Sequence, residues 1–403
     1  MFQAQQDVLS PLRAVAAAAH GAMRGIEATP PARPGMRRLR AACDMVGLAT
    51  TTHVRLPFAF EPVLVGDRLV AVEEVPLLST PFGTLLHFRK DLAVHQPRVL
   101  VVAPMSGHFA TLLRNTVEVL LPENDVLITD WANVRDVPTE SGRFGFDEFV
   151  QHIISFLGAS GRGTHVLAVC QPVVAVLAAA ALMAEDHDPA QPRSLALLAG
   201  PVDTRISPTE VNRLARSQPV EWFARHLIST VPLRYAGAGR RVYPGALQLA
   251  AFMSMNPDRH RDAFAAQYRS LVEGDAAAAA ARRRFYEEYF AVMDLPAEFY
   301  LDTVRKVLQD HDLARGRLTV AGRPVRPAAL RRTALLTVEG ERDDICGLGQ
   351  TMAALDLCPG VRPSMKRHHV QTGVGHYGVF NGRRWASGIY PRVRAMVQAR
   401  DSA

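Results

Sequence analysis

Three side chains of this 403-residue chain have the types and the order that thiol-based acyl transfer requires. At THVLAVCQPVVAVLAAAALMA an apolar extended stretch runs into helix-forming sequence, with only Cys170, Gln171 and Pro172 at the junction. Small Ala168 stands two residues before the cysteine. A tight strand-to-helix turn of this kind needs small neighbours and lifts a nucleophile above a sheet. The alternative is that Cys170 is a small buried hydrophobe, as free cysteines often are. Downstream, ALLTVEGERDDI places a carboxylate loop directly after an apolar run, and GVGHYG then holds His376 among glycines. The spacing favours Asp343 as the acid, with Asp344 as the alternative.

Each role has a physical basis. A free thiol is only partly ionised near neutral pH, so Cys170 needs an adjacent imidazole to take its proton. His376 would be that base, and Asp343 would orient it and stabilise the imidazolium that results. An oxyanion hole would come from two backbone N–H groups. One is that of Gln171, which follows the nucleophile. The other is that of Met105, the first residue after the Ala103-Pro104 pair that closes an earlier strand. Ser106 and His108 on the same stretch are substrate-lining candidates, although a turn or packing role competes for both. Trp131, with Asn133 and Arg135, stands on another loop that follows a strand and is a candidate on the same terms.

These groups require elements to hold them. An extended hairpin is expected over 68–88, turning at Thr80-Pro81-Phe82-Gly83. Continuous apolar runs follow at 98–103, 125–129, 164–169, 194–199 and 334–338, with a weaker one at 366–371. Uninterrupted runs suit strands buried on both faces of a parallel sheet, and alternation with helical stretches indicates an α/β architecture. The nucleophile, acid, histidine order is that of the α/β-hydrolase fold. Between 203 and 332 the pattern changes to arginine-rich helical sequence with Trp222, Phe223, Phe252, Met253, Met255, Phe285, Tyr289 and Phe290 near helical spacing. An insertion there would form a cap over the C-terminal edge of the sheet, where ligands bind in open α/β folds. The expected division is a helical extension over 1–67, hydrolase core over 68–202 and 333–403, and a helical cap over 203–332.

Composition narrows the function classes. The chain is 48% hydrophobic and 21% charged, as ordinary globular proteins are. Its net charge of +7 is arginine scattered along the chain, without the basic runs interleaved with aromatics that a nucleic-acid binder shows. Cys43, Cys170, Cys346 and Cys358 are too dispersed for a disulfide framework or a CxxC metal motif. The first residues lack a basic region followed by an apolar core, so no signal peptide is expected. The longest apolar run, 173–184, is too short to span a bilayer. A reducing, cytosolic location is expected, with no nucleic-acid partner and no metal or cofactor.

AVCQP, VAPMSGHFATLLR, ITDWANVRDVP, YFAVMDLPAEFYLDTV, TVEGERDDICGLGQT and GVGHYGVFNGRRW together resemble the intracellular poly(3-hydroxybutyrate) depolymerases. The resemblance runs from about residue 68 onward. It implies a cysteine nucleophile at Cys170 with Asp343 and His376 as acid and base. It also implies cleavage of the ester bonds of amorphous stored polymer through an acyl-thioester, with monomer and short oligomers released. Water or a coenzyme A thiol could accept the acyl group. The implied partner is the surface of a cytoplasmic polymer granule, and a homodimer is possible. A polyhydroxyalkanoate synthase is the nearest competitor, but its G-x-C-x-G box does not match AVCQP. A small-ester thiol esterase and a non-catalytic granule-binding protein compete less strongly.

Overall fold

The computed structural model describes residues 34–48, 51–255 and 257–401. The first 33 residues of the expected extension lie outside the described residues. The rest of it is only partly helical. Helix α1 (Pro34–Leu48) is followed, from residue 51, by an irregular path to residue 62. That path is fastened to the core by Arg114, whose guanidinium donates to the carbonyls of Phe58 (2.6 Å) and Ala59 (3.0 Å).

The centre is an eight-stranded sheet: β1 (Glu73–Thr80), β2 (Gly83–Arg89), β3 (Arg98–Val102), β4 (Asp125–Trp131), β5 (His165–Val169), β6 (Ser194–Leu198), β7 (Ala334–Gly340) and β8 (Lys366–Gln371). Their order across the sheet is β8-β7-β6-β5-β3-β4-β2-β1. β2 is antiparallel to both of its neighbours, β1 and β4, and every other pairing in the sheet is parallel. This is the α/β-hydrolase fold, as the sequence leads one to expect. The expected hairpin is β1–β2. Thr80 closes it by bonding both ways with Gly83, and a Cβ at Gly83 would lie 2.8 Å from the Trp131 ring.

β5, β6 and β7 are buried along their whole length, which is why they read as unbroken apolar runs. β8 is an edge strand with only its last residue buried, so its sequence signal is weak. Helices α2 (Arg114–Leu120), α3 (Phe146–Ser160) and α4 (Val173–Glu185) follow β3, β4 and β5. The apolar run that is too short for a bilayer is α4, and it is buried against the sheet with α3 alongside. Among the described residues no helix is long and apolar enough to cross a membrane.

Between β6 and β7 lie α5 (Glu210–Ser217), α6 (Val220–His226), α7 (Gly245–Met255), α8 (Pro257–Glu273), α9 (Ala276–Phe290) and α10 (Ala297–Thr303). This segment is not all helix. Ser229–Thr230, Arg241–Tyr243 and Leu295–Pro296 form a small antiparallel sheet within it. The residues between α9 and α10 lie on the loops that leave the ends of β3 and β4. Met293 donates to the Gly107 carbonyl (2.9 Å) and Val134 to that of Asp294 (3.2 Å).

Candidate active site

Cys170 follows the last residue of β5 with φ of 65°, a left-handed conformation that costs a non-glycine residue roughly 1–3 kcal/mol. The strain is held from both sides. The Cys170 N–H donates to the Leu198 carbonyl of β6 at 2.7 Å, and its own carbonyl accepts from Val173 at 3.2 Å as α4 begins. Pro172 caps the helix, where its missing N–H leaves no bond unmade. The space for so tight a turn comes from another strand. A Cβ at Gly200 would lie 2.3 Å from the Val173 side chain, so glycine there lets α4 start against the end of β6.

His376 opens a short helical turn after β8, and its Nδ1 lies 2.8 Å from Asp343 Oδ2. The Asp343 side chain is wholly buried, and its other oxygen accepts from the N–H groups of Ile345 (2.9 Å) and Cys346 (2.8 Å). Asp344 is exposed and faces a cavity, so the structure brings Asp343 to the imidazole and not its neighbour. Burial by itself would lower the His376 pKa. The nearby Asp343 carboxylate and Cys170 sulfur overcome that and raise it well above the ordinary histidine value.

Two of the other three described thiols are deeply buried. Burial, with the neighbouring Asp343 charge, pushes Cys346 well above the usual range, and burial pushes Cys358 up to about 12. Both are enclosed, whereas Cys170 and Cys43 are half-buried.

The two expected oxyanion donors are neighbours in space: the Met105 N–H donates to the Gln171 side-chain oxygen at 3.2 Å. Ser106 is half-buried on the same loop, and His108 is buried in it. Trp131 lies in the core: it is 2% exposed, its ring is tilted against Phe149 with centroids 4.5 Å apart, and its indole N–H donates to the Ala103 carbonyl (2.9 Å). It supports the loop from beneath.

Asn133 and Arg135 also serve architecture. Arg135 Nε meets Asp294 Oδ2 at 2.8 Å, Asn133 accepts from the Asp294 N–H at 3.0 Å, and Gly245 donates to Asp294 Oδ1 at 2.9 Å. This clamp joins the inserted segment to the end of β4. Sequence reading missed Asp294, and it missed Glu339. The Glu339 carboxylate accepts from the N–H groups of Gly349, Thr351 and Met352 and shapes the chain beyond the acid loop. A glutamate closing an otherwise apolar buried strand was the available signal. Among the described residues no group of three or more His, Cys, Asp or Glu side chains is placed to hold a metal ion.

A small cavity borders the segments that carry His376 and Asp343. Phe252, Phe285, Tyr289 and Tyr377 line it, with Ile345 and Asp344 from the acid loop. Tyr377 is the residue next to His376.

Residues 199–401 match the family described as "PHB de-polymerase C-terminus". The chain belongs to that family. No curated protein sequence matches it. Among solved structures it is similar to a putative lipase (lip1) from Acinetobacter baumannii AYE, at 12% identity and TM-score 0.46, over 82% of this chain and 93% of that one. It is also similar to alpha/beta hydrolase GrgF from Penicillium sp. sh18, at 14% and 0.47, over 82% and 99%. A third is 2-hydroxy-6-oxo-6-phenylhexa-2,4-dienoate hydrolase from Rhodococcus sp. strain RHA1, at 13% and 0.44, over 82% and 99%. Fold and family together make this member of the PHB depolymerase family a hydrolase.

Proposed function

We propose that this hydrolase cleaves the ester bonds of stored amorphous poly(3-hydroxybutyrate), with Cys170 as nucleophile, His376 as base and Asp343 as the group that orients it. The observation that carries the reading is Cys170 on its strained turn, with its sulfur bearing on a His376 that Asp343 meets at 2.8 Å, in a chain of this family. His376 Nδ1 is engaged with Asp343, so Nε2 takes the thiol proton as sulfur attacks the ester carbonyl. The negative charge that develops on oxygen is met by the N–H groups of Met105 and Gln171, once the Gln171 side-chain oxygen leaves the Met105 N–H. His376 returns the proton to the departing alkoxide, which leaves a 3-hydroxyacyl thioester on Cys170. Water, deprotonated by His376, then releases the hydroxyacid and restores the thiol. A coenzyme A thiol in place of water would release the acyl-thioester instead.

In this reading residues 203–332 act as the cap, and the aromatic cavity beneath them seats the apolar polyester. The protein works at the granule surface in the cytoplasm. The test is clearing of an amorphous poly(3-hydroxybutyrate) suspension, with released 3-hydroxybutyrate and acyl-coenzyme A assayed, for wild type and Cys170→Ala. Clearing that the substitution abolishes is expected. A folded wild type that leaves the suspension turbid refutes the assignment. Polymer growth from acyl-coenzyme A would identify a synthase, and hydrolysis confined to short esters a small-ester esterase.

A further inference from the structure

The parallel strands β3, β4, β5 and β6 all begin at the edge of the sheet opposite the one that carries Cys170. A cleft of about 450 Å³ opens at that edge. It is lined by Arg98 at the start of β3, Asp125 at the start of β4, Arg162 and Gly163 just before β5, and Arg193 just before β6. The five residues of β5 put about 16 Å between this cleft and Cys170.

The cleft is built around the turn Gly161-Arg162-Gly163. Both glycines are left-handed, with φ of 84° and 87°, and Arg162 is exposed between them. A Cβ at Gly163 would lie 3.6 Å from Arg193 Nε, and one at Gly161 would lie 3.9 Å from Arg98 Nη1. Three guanidinium groups from three separate segments therefore gather at one turn. Arg98 spends Nε on Asp125 (2.8 Å) and Nη1 on the Ser160 carbonyl (2.6 Å). Arg193 spends only Nη1, on the carbonyls of Arg400 and Asp401 at 2.8 Å each. Arg98 Nη2, Arg193 Nε and Nη2 and the whole Arg162 head have no hydrogen-bond partner among the described residues. The Arg98 and Arg193 side chains are each 40% exposed, so a solute in the cleft reaches these donors directly.

The charges do not cancel. Lys90 lines the same cleft, and its ammonium donates only to uncharged oxygens, those of Gln96, Leu121 and Asn124. With the three arginines it faces two carboxylates, Asp125 and Asp401, which are already engaged by His87 (2.5 Å) and His95 (3.1 Å). An open cleft with surplus cations and unspent guanidinium donors is matched by an anion that accepts from several sides.

We propose that this cleft binds a phosphoryl dianion, free or as the terminal group of a nucleotide-sized ligand, with Arg98, Arg162 and Arg193 donating to its oxygens. A carboxylate offers two oxygens in one plane, whereas three guanidinium groups approaching from three segments suit a tetrahedral group with three terminal oxygens. The volume lies within the range of roughly 300–1,000 Å³ that small-molecule sites occupy. The site stands apart from the triad and does not depend on the reaction proposed above.

The test is isothermal titration calorimetry of the full chain with inorganic phosphate, pyrophosphate and ADP at constant ionic strength, with adenosine as the uncharged control. One saturable site for pyrophosphate is expected. Arg162→Ala is expected to weaken it about tenfold, the scale of one charge-assisted hydrogen bond. Arg193→Lys keeps the charge but loses the fork, and is expected to weaken it as well. Arg269→Ala removes the same charge from an exposed position on α8 and is expected to leave it unchanged. Thermal melting confirms that each variant folds. Tighter binding of ADP than of pyrophosphate assigns the site to a nucleotide, and no gain over pyrophosphate assigns it to the free anion. No saturable binding of any phosphoryl compound, adenosine binding as well as ADP, or equal affinities in Arg162→Ala and Arg269→Ala overturns the site.

Discussion

Asp343→Asn is the substitution with the most direct consequence for the chemistry. The carboxylate is fully buried, 2.8 Å from His376 Nδ1, and holds two backbone N–H groups with its second oxygen. An asparagine oxygen can keep the bonds to Ile345 and Cys346, so the loop should survive with a stability loss of about 1 kcal/mol. What changes is the charge and the donor pattern at His376. An amide N–H facing Nδ1 selects the tautomer with its proton on Nε2, which then cannot take the proton of Cys170. The buried imidazolium also loses its counter-charge, which removes the largest influence that raises the His376 pKa against burial. An equivalent change in serine triads lowers kcat by about 10⁴, or about 5.4 kcal/mol at 1.36 kcal/mol per tenfold. The assay is steady-state hydrolysis of a soluble p-nitrophenyl ester, beside circular dichroism and urea melts of the same preparations. Asp344→Asn serves as the comparison, because that exposed carboxylate does not reach the imidazole. Retention of more than a tenth of wild-type kcat by folded Asp343→Asn, or a greater loss in Asp344→Asn, would show that the acid has been misassigned.

Three further outcomes are expected. Arg135→Met strands the buried Asp294 charge and should cost about 3–5 kcal/mol in urea unfolding, whereas Arg135→Met with Asp294→Leu should cost less; equal losses would mean the pair is not coupled. Gly200→Ala puts a methyl 2.3 Å from Val173 and should abolish soluble folding or activity, with Val173→Ala recovering part of it; a wild-type-like Gly200→Ala would remove the close approach from the account of the turn. His108 is held neutral with a pKa near 4, below the unfolded value of 6.5, so the unfolded chain binds its proton first. Its contribution is present above pH 6.5 and is lost as pH falls through 4, by up to about 3 kcal/mol. Asp130 and Glu288, whose pKa values burial raises to about 6 and 7, act in the opposite direction over the same range. The check is therefore the difference between wild type and His108→Asn in urea melts at pH 7 and pH 4.5, and a pH-independent difference would refute it.

Much of the fold was legible because burial on both faces of a parallel sheet imposes a local signature. β3 to β7 each carry an unbroken apolar run, and the helices between them fill the gaps. β8 was the faintest for the same reason, since an exposed edge strand such as KRHHVQ needs no apolar run. The order Cys170, Asp343, His376 could be read because each stands at the end of a strand, at a junction of small or glycine residues. The choice between Asp343 and Asp344 could not be made locally. Adjacent side chains on a turn point in different directions, and only the bonds from Ile345 and Cys346 settle which one is turned inward. Trp131 is a related case. Its place at a strand end resembles a substrate loop, but the strand's alternation puts its ring into the core against Phe149.

By itself, the sequence determined the α/β-hydrolase frame, the inserted helical segment and the types and order of the candidate triad, all of which follow from periodicity and strand-end position. The tertiary structure decided which groups meet. Arg135 and Asp294 are 159 residues apart, and Met105 and Gln171 are 66 apart. The burial of His108 becomes visible only when Phe252 of α7 and Tyr289 of α9 pack against its ring. Contacts at such separations depend on how the chain returns on itself, and no local pattern of residues records that.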